Sequence, residues 1–164
     1  EAAKTAEVHG PFNQLFHRPF CLVYQDEPEY ARYAAYLLAN WAIIGNGSGC
    51  SLHRDDLTDE IQAEYNLLHL GPDRGAVTIP VSVEATWGHS GVGIGQQSFS
   101  DAALAFIFPR EGKLSGIMVT TPGSEYLLYR VMPFTSRFVI PDYYIWGQGG
   151  GLATGFYDAQ WNLY

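Results

Sequence analysis

Apolar runs of strand length alternate with one long helical stripe, and that alternation narrows the folds open to this chain more than any single residue does. The segment 18–27, RPFCLVYQDE, is a short apolar run bounded by Pro19 and an acidic cluster, the mark of a buried strand. Pro28 then stands where a helix tolerates proline, in its first turn, and the residues after it place Tyr30, Ala34, Leu37, Leu38 and Trp41 on one helical face. The glycine-rich segment 45–49 ends that helix, and CSLHRDD from Cys50 reads as a second strand. Thr58, followed by Asp59 and Glu60, predicts a capped short helix to about Tyr65, and NLLHLG from Asn66 a third strand stopped by Gly71 and Pro72.

The middle of the chain is less regular: TIPVSVEATW and GIGQQSFS alternate like half-exposed strands or a hairpin. ALAFIFPR (103–110) and SGIMVTTPG (115–123) are buried-strand candidates joined by a turn at EGK. SEYLLYRVM (124–132) predicts a helix capped by Ser124, and DYYIWG and ATGFYD predict strands flanking the glycine run 149–151. Strands alternating with helices imply an α/β fold, a three-layer Rossmann-like or flavodoxin-like domain whose sheet is mainly parallel with some antiparallel strands. At 164 residues the chain has room for one sizeable core. The expected division is an N-terminal extension or linker remnant at 1–9 and a single α/β domain at 10–164.

Charge removes several function classes. With 17 acidic against 9 basic residues the surface repels phosphate backbones, so neither nucleic acid nor a membrane is an expected partner. Scarce lysine, with only Lys4 and Lys113, and a first residue other than Met favour a secreted, extracellular protein. Two further features agree. Cys21 and Cys50 fall at the starts of consecutive strands, where neighbours can come within bridging distance, and Asn46 heads an Asn-Gly-Ser glycosylation sequon.

Candidate chemistry centres on the segment 85–95, ATWGHSGVGIG. A hydrolase elbow needs Gly-x-Ser-x-Gly, but Gly88, His89, Ser90, Gly91 and Val92 put the last glycine one place early, ahead of a strand instead of a helix. No complete active site is therefore expected. A small stand-alone esterase using Ser90 with His89 or His53 is the alternative. The Gly-x-Gly pairs end in Cys50, Gln96 and Leu152 where a dinucleotide fingerprint needs a third glycine, and the three carboxylates of QDEPE would repel a pyrophosphate, so no cofactor is expected. His53, Asp55 and Asp56 could meet a metal, yet a solvated strand end accounts for them equally, and no metal is expected. Trp87 and Trp146 are the candidates for a sugar-stacking surface, which would make the chain a secreted carbohydrate-binding module.

A set of short motifs runs in order along the chain: GPFNQLFHRPFCLVY from Gly10, a late helical Trp41, Asp56 with Thr58, NLLHLGP from Asn66, VGIGQQSF, IFP at 107–109, SEYLLYRV, and PDYYIWGQGGGLATGFYDAQW. In this it resembles the C-terminal domain that follows the catalytic domain in large secreted or periplasmic α/β-hydrolase-type serine peptidases and esterases of the prolyl-oligopeptidase-like group. FPREGKL departs from the family's Asn-Pro-rich turn, and LGPDRG lacks the Asn that often follows the Gly-Pro pair. The resemblance implies a Rossmann-like fold and a catalytic triad belonging to an upstream domain, none of it on these residues. It further implies a non-catalytic domain or processed fragment that packs against that hydrolase domain, shields its site, or assembles with further copies of itself.

Overall fold

The computed structural model describes residues 3–45, 47–135 and 137–164. The described residues form a seven-stranded sheet, a small three-stranded sheet and two α-helices, with 3-10 turns between them. In chain order these are β1 (Phe20–Tyr24), α1 (Pro28–Ile44), β2 (Cys50–His53), α2 (Asp59–Glu64), β3 (Asn66–Leu70), β4 (Ala85–Trp87), β5 (Val92–Ile94), β6 (Gln97–Phe99), β7 (Ala102–Arg110), β8 (Lys113–Thr120), β9 (Tyr143–Gly147) and β10 (Gly150–Gly155).

The large sheet has the order β10-β9-β7-β8-β3-β1-β2, and β4, β5 and β6 form the small one. Strand β1 pairs in parallel with β2 and β3, and β3 with β8, whereas the pairings of β7 with β8, β7 with β9 and β9 with β10 are antiparallel. Five of the seven strands thus point the same way, a mostly parallel sheet with an antiparallel end. The antiparallel end arises because β7 and β8 are joined by a tight turn at Glu111 and Gly112, both at positive φ, which leaves no room for a crossover.

Register assigns the side chains to faces. Leu22 and Leu68 point to one face, where α1 buries Tyr30, Tyr33, Ala34 and Leu37. Cys21, Val23 and Leu67 point to the other and are covered by Leu57, Ile61 and Tyr65 of the α2 segment. On that second face, further along the sheet, Trp87 of the small sheet meets Phe106 of β7, ring centroids 5.9 Å apart. Arg110 ties the α2 segment down by donating to the carbonyls of Gln62 at 2.7 Å and Tyr65 at 2.8 Å, and burial lowers its pKa. Thr58 caps α2 as expected, its hydroxyl accepting from the Ile61 amide at 3.2 Å.

Three expectations need correction. The segment 124–132 is no α-helix but a 3-10 helix, Glu125–Arg130: Ser124 makes no cap, its buried hydroxyl instead accepting from Thr121, and the adjacent Leu127 and Leu128 are both buried. Of TIPVSVEATW only β4 is strand, because Pro80 opens a 3-10 turn and Glu84 turns back at φ 53°. The last strand uses the glycine run instead of following it: Gly150, at φ +117°, and Gly151 belong to β10, and the Tyr144 ring lies 3.1 Å from where a Gly151 Cβ would sit.

Residues 3–9 lie along the body of the protein. The Lys4 amide donates to the Ala159 carbonyl at 2.6 Å, and Val8 is buried. The Lys4 ammonium meets the fully buried Asp142 carboxylate at 2.5 Å, donates to the Tyr157 carbonyl at 2.7 Å and sits over the Trp161 ring. No helix of the described residues is long and apolar enough to cross a membrane.

Candidate functional site

Open α/β sheets bind ligands where the strand connections diverge, at the carboxyl ends of the parallel strands. Here the chain leaves β1 through α1 on one face and returns to its other side, at β3, through α2 on the opposite face. A cleft of about 430 Å3 opens at that point. Its floor is Tyr30, whose hydroxyl accepts from the Thr120 amide at 3.1 Å and lies 3.3 Å from the Thr120 hydroxyl. Gly71 packs flat on the Tyr30 ring at φ +66°, where a Cβ would overlap the ring carbons. Burial raises the Tyr30 pKa, its bonds to Thr120 oppose the rise, and the Glu125 and Glu27 carboxylates add to it.

The walls come from loops. Trp87 donates its indole N–H to the Pro72 carbonyl at 2.6 Å, and the Arg74 guanidinium lies 4.8 Å over the Trp87 ring while donating to the Ala85 carbonyl at 2.8 Å. Beside the cleft, Arg54 donates to Gln25 Oε1 at 3.1 Å and Asp26 Oδ2 at 3.2 Å, and stands 3.6 Å from Asp73. The cleft is therefore edged by Glu27, Asp73 and Glu125, and α1 begins on Glu27 and Glu29, so its positive end already faces carboxylates.

His53 lies at the end of edge strand β2. Its Nδ1 accepts from the Asp55 amide at 3.1 Å, which leaves Nε2 as the protonated nitrogen, 2.6 Å from Asp26 Oδ1. Both ring nitrogens are engaged within the loops. Ser90 and His89 are exposed in the turn between β4 and β5, where the Gly88 amide donates to the Gly91 carbonyl at 3.0 Å. Ser90 and His53 thus sit on different sheets, and among the described residues no hydrogen bond joins them.

The remaining candidates are equally placed. Cys21 and Cys50, in register on neighbouring strands with Cα atoms 4.5 Å apart, form a disulfide. Trp146 is buried, stacked on Tyr144, with its N–H donated to the Leu127 carbonyl at 2.8 Å, and Trp87 is 8% exposed at the cleft wall. Asn46 lies outside the described residues. Among those residues no group of three His, Cys, Asp or Glu side chains is arranged to hold a metal ion. The sequence placed Tyr30 only on the apolar face of the helix and assigned no role to Glu125, Arg54 or Arg74. Their shared location depends on strand order, and only the Gly71-Pro72 pair after β3 hinted at a loop folded over the strand ends.

No protein-family model matches the chain, and no curated protein matches it in sequence.

Proposed function

We propose that the chain is a non-catalytic α/β domain of a secreted serine hydrolase, packing against the catalytic domain or assembling with further copies. One observation carries this reading: His53, Arg54, Arg74 and Tyr30, at the carboxyl ends of the strands, are engaged in holding loops. His53 uses both ring nitrogens, Arg54 and Arg74 tie loop to loop, and Tyr30 is fixed to Thr120, while Ser90 stands apart on a hairpin turn. A nucleophile and base need mutual hydrogen-bond reach, and these residues are arranged otherwise. The β2-β1-β3 order, with α1 and α2 on opposite faces, supports a three-layer, Rossmann-like or flavodoxin-like body. The Cys21–Cys50 disulfide supports an oxidising, extracellular setting.

Fluorophosphonate labelling of the native secreted product, followed by peptide mapping, tests the proposal. Label is expected on a Gly-x-Ser-x-Gly peptide outside these residues. Label on Ser90 that disappears in Ser90→Ala would make the chain an enzyme in its own right, and absence of label throughout the product would remove the serine hydrolase.

A further inference from the structure

The two margins of the large sheet are finished differently. β2 is tied to β1 by the disulfide and runs into the charged turn Arg54–Asp56. β10 carries no charge and no proline, and among the described residues no other strand pairs with its outer edge. Natural edges are commonly blunted by charge, proline or cover, so a bare edge marks a place where another chain can add. Gly151 pairs with Trp146 and Ala153 with Ile145, which leaves Leu152 as a bulge with its side chain turned out.

Exposed apolar side chains gather at this margin. Tyr126, Phe138, Val139, Leu152 and Phe156 are each 45 to 54% exposed, an unusual concentration for a surface otherwise rich in carboxylates. Between the 3-10 helix Glu125–Arg130 and the β9–β10 turn lies a groove of about 320 Å3 walled by Phe138, Tyr144 and Trp146. Phe138 packs on Tyr144 at 5.3 Å and Tyr144 stacks on Trp146 at 5.1 Å. Arg130 closes one side, donating to the Gln148 carbonyl at 2.6 Å.

The charge here is opposite to that of the whole. Although the chain carries a net charge of −8, residues 126–157 hold a single acidic group, Asp142, which is buried and paired with Lys4. Arg130 and Arg137 are exposed, and among the described residues neither is in an ion pair. Glu125 and Asp101 border the patch from outside.

We propose that the β9–β10 margin docks an extended, carboxylate-bearing segment of another polypeptide. An apolar side chain of the segment enters the groove over Phe138 and Tyr144, its acidic neighbours meet Arg130 and Arg137, and its backbone runs beside β10. A second copy fits less well, since its matching surface offers these arginines no exposed carboxylate and both chains carry the same net charge of −8. The proposal does not depend on the hydrolase reading.

Panning a random peptide display library against the disulfide-intact protein tests it. The recovered peptides should carry Asp or Glu around an aromatic or aliphatic residue. Their affinity should fall on the order of ten-fold in the Arg130→Glu, Arg137→Glu double variant. It should fall also in Phe138→Asp, with the amides of 150–155 gaining exchange protection in the wild-type complex. Arg137→Glu alone serves as a fold-neutral variant, because that side chain is exposed and holds no described partner. Recovery of basic peptides, indifference to these variants, or failure to enrich any peptide would overturn the proposal. Dimerisation abolished by the double variant would overturn it too, giving the surface to a second copy.

Discussion

His69 should make the protein lose stability on mild acidification, by an amount the structure sets. It lies on β3 beside Val23 of β1 and Ile117 of β8, 7% exposed, and its pKa is lowered from 6.5 to about 4, first by burial and then by the Arg110 charge. The unfolded chain takes up a proton below about pH 6.5, whereas the folded one refuses it until about pH 4. Between those values protons therefore favour the unfolded state. The contribution is complete above about pH 6.5 and fades as pH falls toward 4. At about 1.4 kcal/mol per tenfold change, the displacement corresponds to about 3 kcal/mol, a sizeable part of a domain's usual stability. Urea unfolding of the wild type and of His69→Leu, from about pH 7 to about pH 4.5, isolates the effect, because the carboxylates titrate alike in both. The difference between the two stabilities should be flat near neutrality and then move in favour of the leucine variant. Parallel curves across the whole range would refute the reasoning, showing that the folded protein accommodates a protonated His69.

Two further substitutions probe the packing. Lys4→Met leaves the fully buried Asp142 with a single amide partner, Tyr157 at 2.9 Å, and should cost about 3 kcal/mol in urea unfolding, with protease cleavage ahead of Gly10 accelerated; a change below about 0.5 kcal/mol would show that the segment contributes little. Gly71→Ala should cost about 3 kcal/mol through positive φ and overlap with Tyr30, against about 1 kcal/mol for Gly75→Ala, where φ is +89° but nothing lies within 4 Å. Equal costs at the two positions would mean that the Tyr30 ring swings aside freely.

The β1-α1-β2 unit was legible because its signals are local: Pro19 and Pro28 punctuate it, and one helical face carries its core residues. Thr58 was legible for the same reason, since a cap bonds within three residues. The 124–132 segment misled because Ser124 has the chemistry of a cap but finds a nearer partner in Thr121, and because the core takes in both Leu127 and Leu128. The glycines of β10 misled for a long-range reason. Gly150 and Gly151 read as a loop in sequence, yet Gly151 pairs with Trp146, and the Tyr144 ring of the neighbouring strand leaves it little room for a side chain.

The site divides along the same line. Pairing of Cys21 with Cys50 could be foreseen as possible from strand starts alone, whereas the partner of His53 could not, since Asp26 is 27 residues earlier and reaches it only because β1 and β2 run side by side. That bond also bears on how the two surfaces of the molecule differ. At the carboxyl-end cleft, charged groups meet charged groups of the same chain, and a ligand must displace or bridge interactions already made. At the β10 margin the backbone edge and two arginines have fewer internal claims on them. Association gains most where polar groups lose little water-exposed or internal pairing on binding. The margin, with its uncharged edge and aromatic groove, is thus the surface on which a partner's contacts would be additions to the fold instead of substitutions within it.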